Sequence, residues 1–258
     1  MERLTVTEIR TLVANSNAEQ AAVVIAEYGG DARAGVRAAI AGLRTRLEAA
    51  DRERRRLTDL SALQRSLHEQ GWGVIAGIDE VGRGALAGPV TAAAVVLDVD
   101  VTIEGIDDSK RLTPDRRRLL DTTIRERATC VHVAHVWPDE IDSFGIQQAT
   151  RMAMLGALKP IRNAIDHVIV DGLPVELGVP ATAVVKGDSR VAAVAAASIV
   201  AKVARDALMV ELEIDFPGYG LAHNKGYGSP DHLECLAKNG PTQIHRRSFA
   251  PCSQTQLF

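Results

Sequence analysis

Three short apolar runs in the later part of this chain stop at an aspartate. Asp79 follows Val74-Ile75-Ala76-Gly77-Ile78, Asp171 follows Val168-Ile169-Val170, and Asp188 follows Val184-Val185-Lys186-Gly187. Runs of this length and composition read as buried strands. A carboxylate at the end of a buried strand needs a partner or a cation, because taking an ionised group out of water is costly. Any one of the three has a plainer reading as a turn residue or a cap, and Asp188 ahead of Ser189-Arg190 has the form of a helix N-cap. Together, with Glu80 adjacent, they predict strand ends that converge on one sheet edge and gather oxygen ligands there. Hard divalent cations such as Mg²⁺ and Mn²⁺ prefer oxygen ligands. A pair of them, about 3.5–4 Å apart, can clamp the attacking and leaving oxygens of a phosphodiester.

The surrounding pattern is mixed α/β. Strands are expected at 73–78, 89–97, 131–136, 167–170 and 182–185, and helices at 114–127, 144–158, 190–212 and 230–237. Strands alternating with helices imply a central sheet covered by helices. The chain ahead of Gly71 differs: it has no lysine, and the first Lys of the sequence is Lys110. Thr5-Val6-Thr7-Glu8 can form a capping box, and Asn17 and Asp31 can cap further helices. Residues 32–68, rich in Ala, Arg, Leu and Glu and free of proline, predict one long helix or a helical hairpin. We therefore expect a helical module at 1–70, a catalytic domain at 71–250 and a tail at 251–258. Arg52, Arg54, Arg55 and Arg56 are interleaved with Asp51, Glu53 and Asp59, the mark of a solvated face more than of a phosphate-binding one. A scaffolding or oligomerisation role suits the module best.

Several function classes fall away. No run approaches the ~20 apolar residues that span a bilayer, and Met1-Glu2-Arg3-Leu4 does not open a secretion signal. Cys130, Cys235 and Cys252 are odd in number and form no CxxC pair, so a reducing cytoplasm is expected. A net charge of −3 argues against uniform attraction to nucleic acid but leaves room for a local basic groove. Gly82-x-Gly84-x-x-x-Gly88 has the wrong spacing for a dinucleotide loop, and the preceding Asp-Glu would repel a pyrophosphate. His132 and His135, three apart in an expected strand, point to opposite faces and make a poor metal pair.

The ordered motifs resemble those of the ribonuclease HII family. They are Asp79-Glu80-Val81-Gly82-Arg83-Gly84 with Gly88-Pro89-Val90; Asp107-Asp108-Ser109-Lys110; Val170-Asp171-Gly172; Lys186-Gly187-Asp188 with Ala196-Ala197-Ser198-Ile199 and Ala201-Lys202-Val203; His223-Asn224-Lys225-Gly226-Tyr227-Gly228; and His245-Arg246-Arg247-Ser248-Phe249. The resemblance covers about 71–249 and leaves the N-terminal module outside the family's minimal core. It implies a ribonuclease H-like fold, a mixed central sheet flanked by helices, with the small all-α module added. It implies Asp79, Glu80, Asp171 and Asp188 as catalytic metal ligands for two Mg²⁺ or Mn²⁺ ions. It also implies a substrate, RNA/DNA hybrid or duplex DNA with an embedded ribonucleotide, cut on the 5′ side of the ribose to leave a 3′-hydroxyl and a 5′-phosphate.

Such an enzyme must read the 2′-hydroxyl that separates RNA from DNA. The resemblance gives that task to the backbone of Gly82, Arg83 and Gly84, and gives Tyr227 a stacking role on the neighbouring deoxyribose, with Gly226 and Gly228 keeping the surface around it open. Arg83, Lys110, Lys186, Lys202, Lys225, Arg246 and Arg247 are the phosphate candidates. Ser198 is either a further phosphate contact or a buried small residue of an Ala-rich helix. Ribonuclease HIII, a resolvase or integrase of the same fold, and a non-catalytic nucleic-acid-binding module are the competing readings. The end of the chain, Gln254-Thr255-Gln256-Leu257-Phe258, resembles the pentapeptides that dock on sliding clamps, with packing back on the core as the alternative.

Overall fold

The N-terminal helices begin where their caps stand. Thr5 accepts from the Glu8 amide while the Glu8 carboxylate accepts from the Thr5 amide, a capping box that starts α1 (Val6–Asn15). Asn17 and Gln20 repeat the arrangement ahead of α2 (Ala18–Tyr28). Residues 32–68 give one helix, α3 (Ala34–Glu69). Asp31 is not its cap: the helix starts at Ala34, and the Arg33 carbonyl already accepts from the Val36 and Arg37 amides. Asp31 instead takes up the Arg33 amide and guanidinium. The computed structural model describes residues 4–253 and divides into two units, Met1–Thr58 and Asp59–Phe258. In the first, Ile9, Val13, Ala21, Val24, Val36, Ile40 and Leu43 form a small core of their own.

The second unit is built on a five-stranded sheet in the order β3-β2-β1-β4-β5. Its strands are β1 (Ile75–Val81), β2 (Val90–Val96), β3 (Cys130–Val136), β4 (His167–Asp171) and β5 (Ala181–Val184). β2 runs antiparallel to both β1 and β3, whereas β1, β4 and β5 run parallel. The central strands are covered on both faces, which is why they read as unbroken apolar runs and not as alternating ones. On one face Ala76, Ile78, Val90, Ala92, Ala94, Val168 and Val170 pack with Ile141, Ala149, Ala153, Met154 and Leu158 of α5 (Pro138–Leu158). On the other, Ile75 and Ile169 pack with Val194 of α6 (Ala192–Asp215) and with Leu67 near the end of α3.

Helix α6 lies unusually close to β1. A Cβ built at Gly77 would sit 2.2 Å from the Ala193 carbonyl carbon, so glycine there is a packing requirement. Gln64 of α3 fixes the same corner: its side chain donates to the Leu97 carbonyl and accepts from the Ala193 amide. The remaining helices are α4 (Pro114–Arg127), α7 (Leu221–Asn224), α8 (Pro230–Asn239) and α9 (Ala250–Ser253). Among the described residues, no helix is long and apolar enough to cross a membrane.

Candidate active site

β1 and β4 are parallel, with Ile78 opposite Val170, so the residues that follow each, Asp79 and Asp171, come side by side at one sheet edge. Asp188 joins them from the one-turn 3-10 helix Gly187–Ser189 after β5. It is not a cap for α6, whose N-cap is Val191. Asp79, Asp171 and Asp188 each bring a carboxylate oxygen within 4.8 Å of the others, and no further group of this kind with three or more His, Cys, Asp or Glu occurs among the described residues. Glu80 stands outside that set. As the next residue in β1 it faces the α5 side of the sheet, where its Oε1 pairs with Arg83 at 3.1 Å.

Each acid is held by its neighbours. The Glu80 amide donates to Asp79 Oδ1 at 2.7 Å, and the Gly187 amide donates to Asp171 Oδ1 at 2.6 Å. Lys110 Nζ lies 3.4 Å from Asp188 Oδ2. Burial drives the Asp79 carboxyl well above its ordinary range, and the charges of Glu80 and Asp171 push the same way against a hydrogen bond from Ser198. Burial also raises Asp188, with Asp108 and Asp171 adding to it and Lys110 opposing. Glu80 is raised by burial, with Arg83 opposing. Three crowded, mostly buried oxygen donors of one charge sign are a donor set that suits a hard divalent cation. Beside Glu80 and Asp171 opens a groove of about 850 Å³, flanked by Arg83, Phe144, Gln147 and Leu173.

The glycines of the next loop serve different ends. Gly82 has φ +88°, and a Cβ on it would meet Arg205 Nε at 2.2 Å, so its glycine is fixed by the fold. Gly84 is exposed and a Cβ there would meet nothing, so its backbone face is open to a ligand. Gly226 does not open the surface around Tyr227. It is buried, with φ +80° and its missing Cβ 2.4 Å from the Ala87 carbonyl, and its own carbonyl accepts from the Leu86 and Ala87 amides. Tyr227 is half-buried, with Lys202 Nζ 5.8 Å and the Arg205 guanidinium 5.5 Å from its ring centre.

The basic candidates divide. Arg83, Lys110, Lys186 and Arg247 are exposed, and Lys202 and Lys225 partly so. Arg246 is a correction: it is 0% exposed, and its guanidinium donates to the Arg83 and Gly88 carbonyls, out of reach of a phosphate. Burial brings it down to about 9. Ser198 is also buried, its hydroxyl 3.0 Å from Ser109 Oγ beside Asp79, so it takes the packed reading. His135 bonds Thr91 and takes no part in the acidic cluster.

Arg205 of α6 is the residue that sequence reasoning misses. Fully buried, it donates to the Ala87, Pro89 and Lys225 carbonyls and so ties the loop after β1 to the segment that carries Tyr227. Its partners are backbone carbonyls, which leave no mark in a sequence.

Residues 76–252 match the family described as Ribonuclease HII, and residues 5–68 match its N-terminal domain. The chain belongs to the ribonuclease HII family. Relatives carrying the name Ribonuclease HII include one from Solibacter usitatus, 49% identical over 77% of this chain and 87% of its own. Another, from Geobacillus kaustophilus, is 40% identical over 97% of this chain and 96% of its own. The second relative spans the N-terminal helices too, so the module outside the six motifs is itself shared within ribonuclease HII. Among solved structures, ribonuclease H2 from Pyrococcus horikoshii superposes with a TM-score of 0.62 at 26% identity, over 71% of this chain and 97% of that one. The ribonuclease HII of a PCNA complex from Archaeoglobus fulgidus gives 0.57 at 27%, over 69% and 96%. The mixed sheet with its flanking helices is thus a ribonuclease H-like fold, and the protein is an enzyme, a ribonuclease H hydrolase.

Proposed function

We propose that the enzyme hydrolyses the phosphodiester on the 5′ side of a ribonucleotide, in RNA/DNA hybrid or in duplex DNA with an embedded ribonucleotide, leaving a 3′-hydroxyl and a 5′-phosphate. The observation that carries this reading is the meeting of Asp79, Asp171 and Asp188, with the open backbone of Gly84 four residues on from Glu80. Asp79, Glu80, Asp171 and Asp188 would hold two divalent ions, Mg²⁺ or Mn²⁺. When bound, such a pair activates water and steadies the charge on the leaving oxygen. The chain's own residues do the rest. The amides of Glu80 and Gly187 aim the carboxylates. Arg83 keeps Glu80 turned toward the groove. The backbone at Gly84 can reach a 2′-hydroxyl, and Tyr227 offers a ring face to the adjoining sugar. Lys110, Lys186, Lys202 and Lys225 supply charge for phosphates.

A duplex with a single ribonucleotide tests the reading. The wild-type chain should cut it 5′ to the ribose with Mg²⁺ or Mn²⁺, and Asp79→Asn should not. Equal cutting of an all-DNA duplex sinks the specificity, and no cutting at all favours a binding module.

A part in removing ribonucleotides from DNA completes the reading, together with a reducing cytoplasm, which the odd number and wide spacing of Cys130, Cys235 and Cys252 support. Clamp docking by Gln254–Phe258 falls outside the described residues. The PCNA complex of the Archaeoglobus relative supports it as a proposal, and deleting the five residues should lower affinity for a sliding clamp.

A further inference from the structure

Behind Tyr227 lie two buried histidines whose hydrogen bonds leave one arrangement of protons. His232 and His245 are 0% and 1% exposed, with their Nε2 atoms 3.2 Å apart. The Thr242 backbone amide, which can only donate, points at His245 Nδ1 at 3.1 Å, so that nitrogen is bare and the proton of the neutral ring sits on Nε2. At the other end, His232 Nδ1 lies 2.9 Å from the Tyr227 carbonyl, which can only accept, so Nδ1 carries the His232 proton and Nε2 is free to accept. The bonds therefore run one way, from the Thr242 amide through both rings to Tyr227. Tyr219 closes the pair off, its ring 4.7 Å from that of His245 and its hydroxyl tied to the Gly240 carbonyl.

We propose that His232 and His245 are positioning residues for substrate binding: their fixed tautomers hold the Tyr227 carbonyl, and with it the ring that meets the sugar. The proposal rests on the stacking role given to Tyr227 above. Two further bonds locate that backbone, Tyr227 amide to Asn224 carbonyl and Ser229 amide to Tyr227 carbonyl. Both are local to the turn. The third bond depends on a ring whose proton His245 keeps on Nδ1, facing the Tyr227 carbonyl. A side chain that always presents an N–H there needs no such partner and should therefore keep the ring in place, whereas an apolar one of similar volume should not.

Two variants separate positioning from packing. His232→Leu removes the donor to Tyr227, while His232→Asn restores an amide N–H at the Nδ1 position. Both break the link to His245, so both should lower the melting temperature by similar amounts. On a single-ribonucleotide duplex, His232→Leu should raise KM roughly five- to tenfold with kcat within about twofold, the pattern of lost ground-state binding. His232→Asn should recover most of that KM. Equal impairment of both variants, or wild-type KM in His232→Leu, overturns the relay. Tyr227→Ala is the control for the reading beneath it. If it binds and cuts like wild type, the stacking role fails and takes the relay's purpose with it. If it is impaired while His232→Leu is not, only the relay fails. Nitrogen-15 spectra of the full chain give a second readout: His232 protonated on Nδ1 and His245 on Nε2 support the proposal, and the opposite pair of tautomers overturns it.

Discussion

At the scale of the residue, two glycines two positions apart make opposite demands. Gly82→Ala must place a Cβ 2.2 Å from Arg205 Nε at a positive φ. It should cost about 1–3 kcal/mol in urea unfolding. Gly84→Ala meets no neighbour and no φ strain. It should unfold within about 0.5 kcal/mol of wild type and still cut a single-ribonucleotide duplex poorly, because the new methyl covers the backbone face offered to the ribose. His245 supplies a third residue-scale test. Burial, with His232 beside it, takes it from 6.5 down to about 4. The unfolded chain then binds the proton first as pH falls, so the stability from a neutral His245 is whole above about pH 6.5 and drains toward pH 4. The stability gap between wild type and His245→Leu should narrow by about 2 kcal/mol from pH 7 to pH 5. A constant gap would mean that the ring titrates normally.

At the scale of the element, the helix–sheet contact at Gly77 sets the geometry of the acids two residues on. Gly77→Ala should cost about 1–3 kcal/mol and, by lifting α6, loosen Ser198 from Asp79, lowering cleavage at saturating metal. Helices with their own punctuation are legible in the sequence. Pro114–Arg127 is read to the residue, because Thr113 caps it and Pro114 sits at its first position. α5 is read from 144, but it begins at Pro138, where a proline and two acids in the first turn carry the same signal. The reason is Gly145, whose φ of +77° breaks the helical repeat in mid-element. The short α7 leaves no periodicity to read.

The candidate site divides along a similar line. Carboxylates at strand ends are visible because burying a charge is anomalous, and those of Asp79, Asp171 and Asp188 do converge. Arg205 and Arg246 are invisible as scaffold, because a cation in a sequence advertises a surface and nothing there shows that its partners are carbonyls.

At the scale of the whole molecule, the change of composition near Gly71 and the change of packing do not fall at the same residue. The second unit begins at Asp59, inside α3, and Gln64 and Leu67 belong to its interior. A chain starting at Asp59 should unfold in one transition and keep its cleavage activity. One starting at Gly71 leaves the Leu97 carbonyl and the Ala193 amide without their Gln64 partner and uncovers the Leu67 pocket. It should be less stable by about 3–6 kcal/mol in urea unfolding. Equal stability of the two would show that the last turns of α3 are dispensable.

Helix α6 acts as a ruler. Ser198 and Arg205 stand seven residues apart on it, close to two full turns, and so share one side at a spacing of about 10 Å. The first bonds to Asp79, and the second holds the loop after β1 and the segment that carries Tyr227. With no hinge between the two marks, a vibration that shifts one carries the other along. On the proposed reading, the interval between cut and sugar is therefore gauged by a rigid rod, and stays in calibration until that helix unwinds.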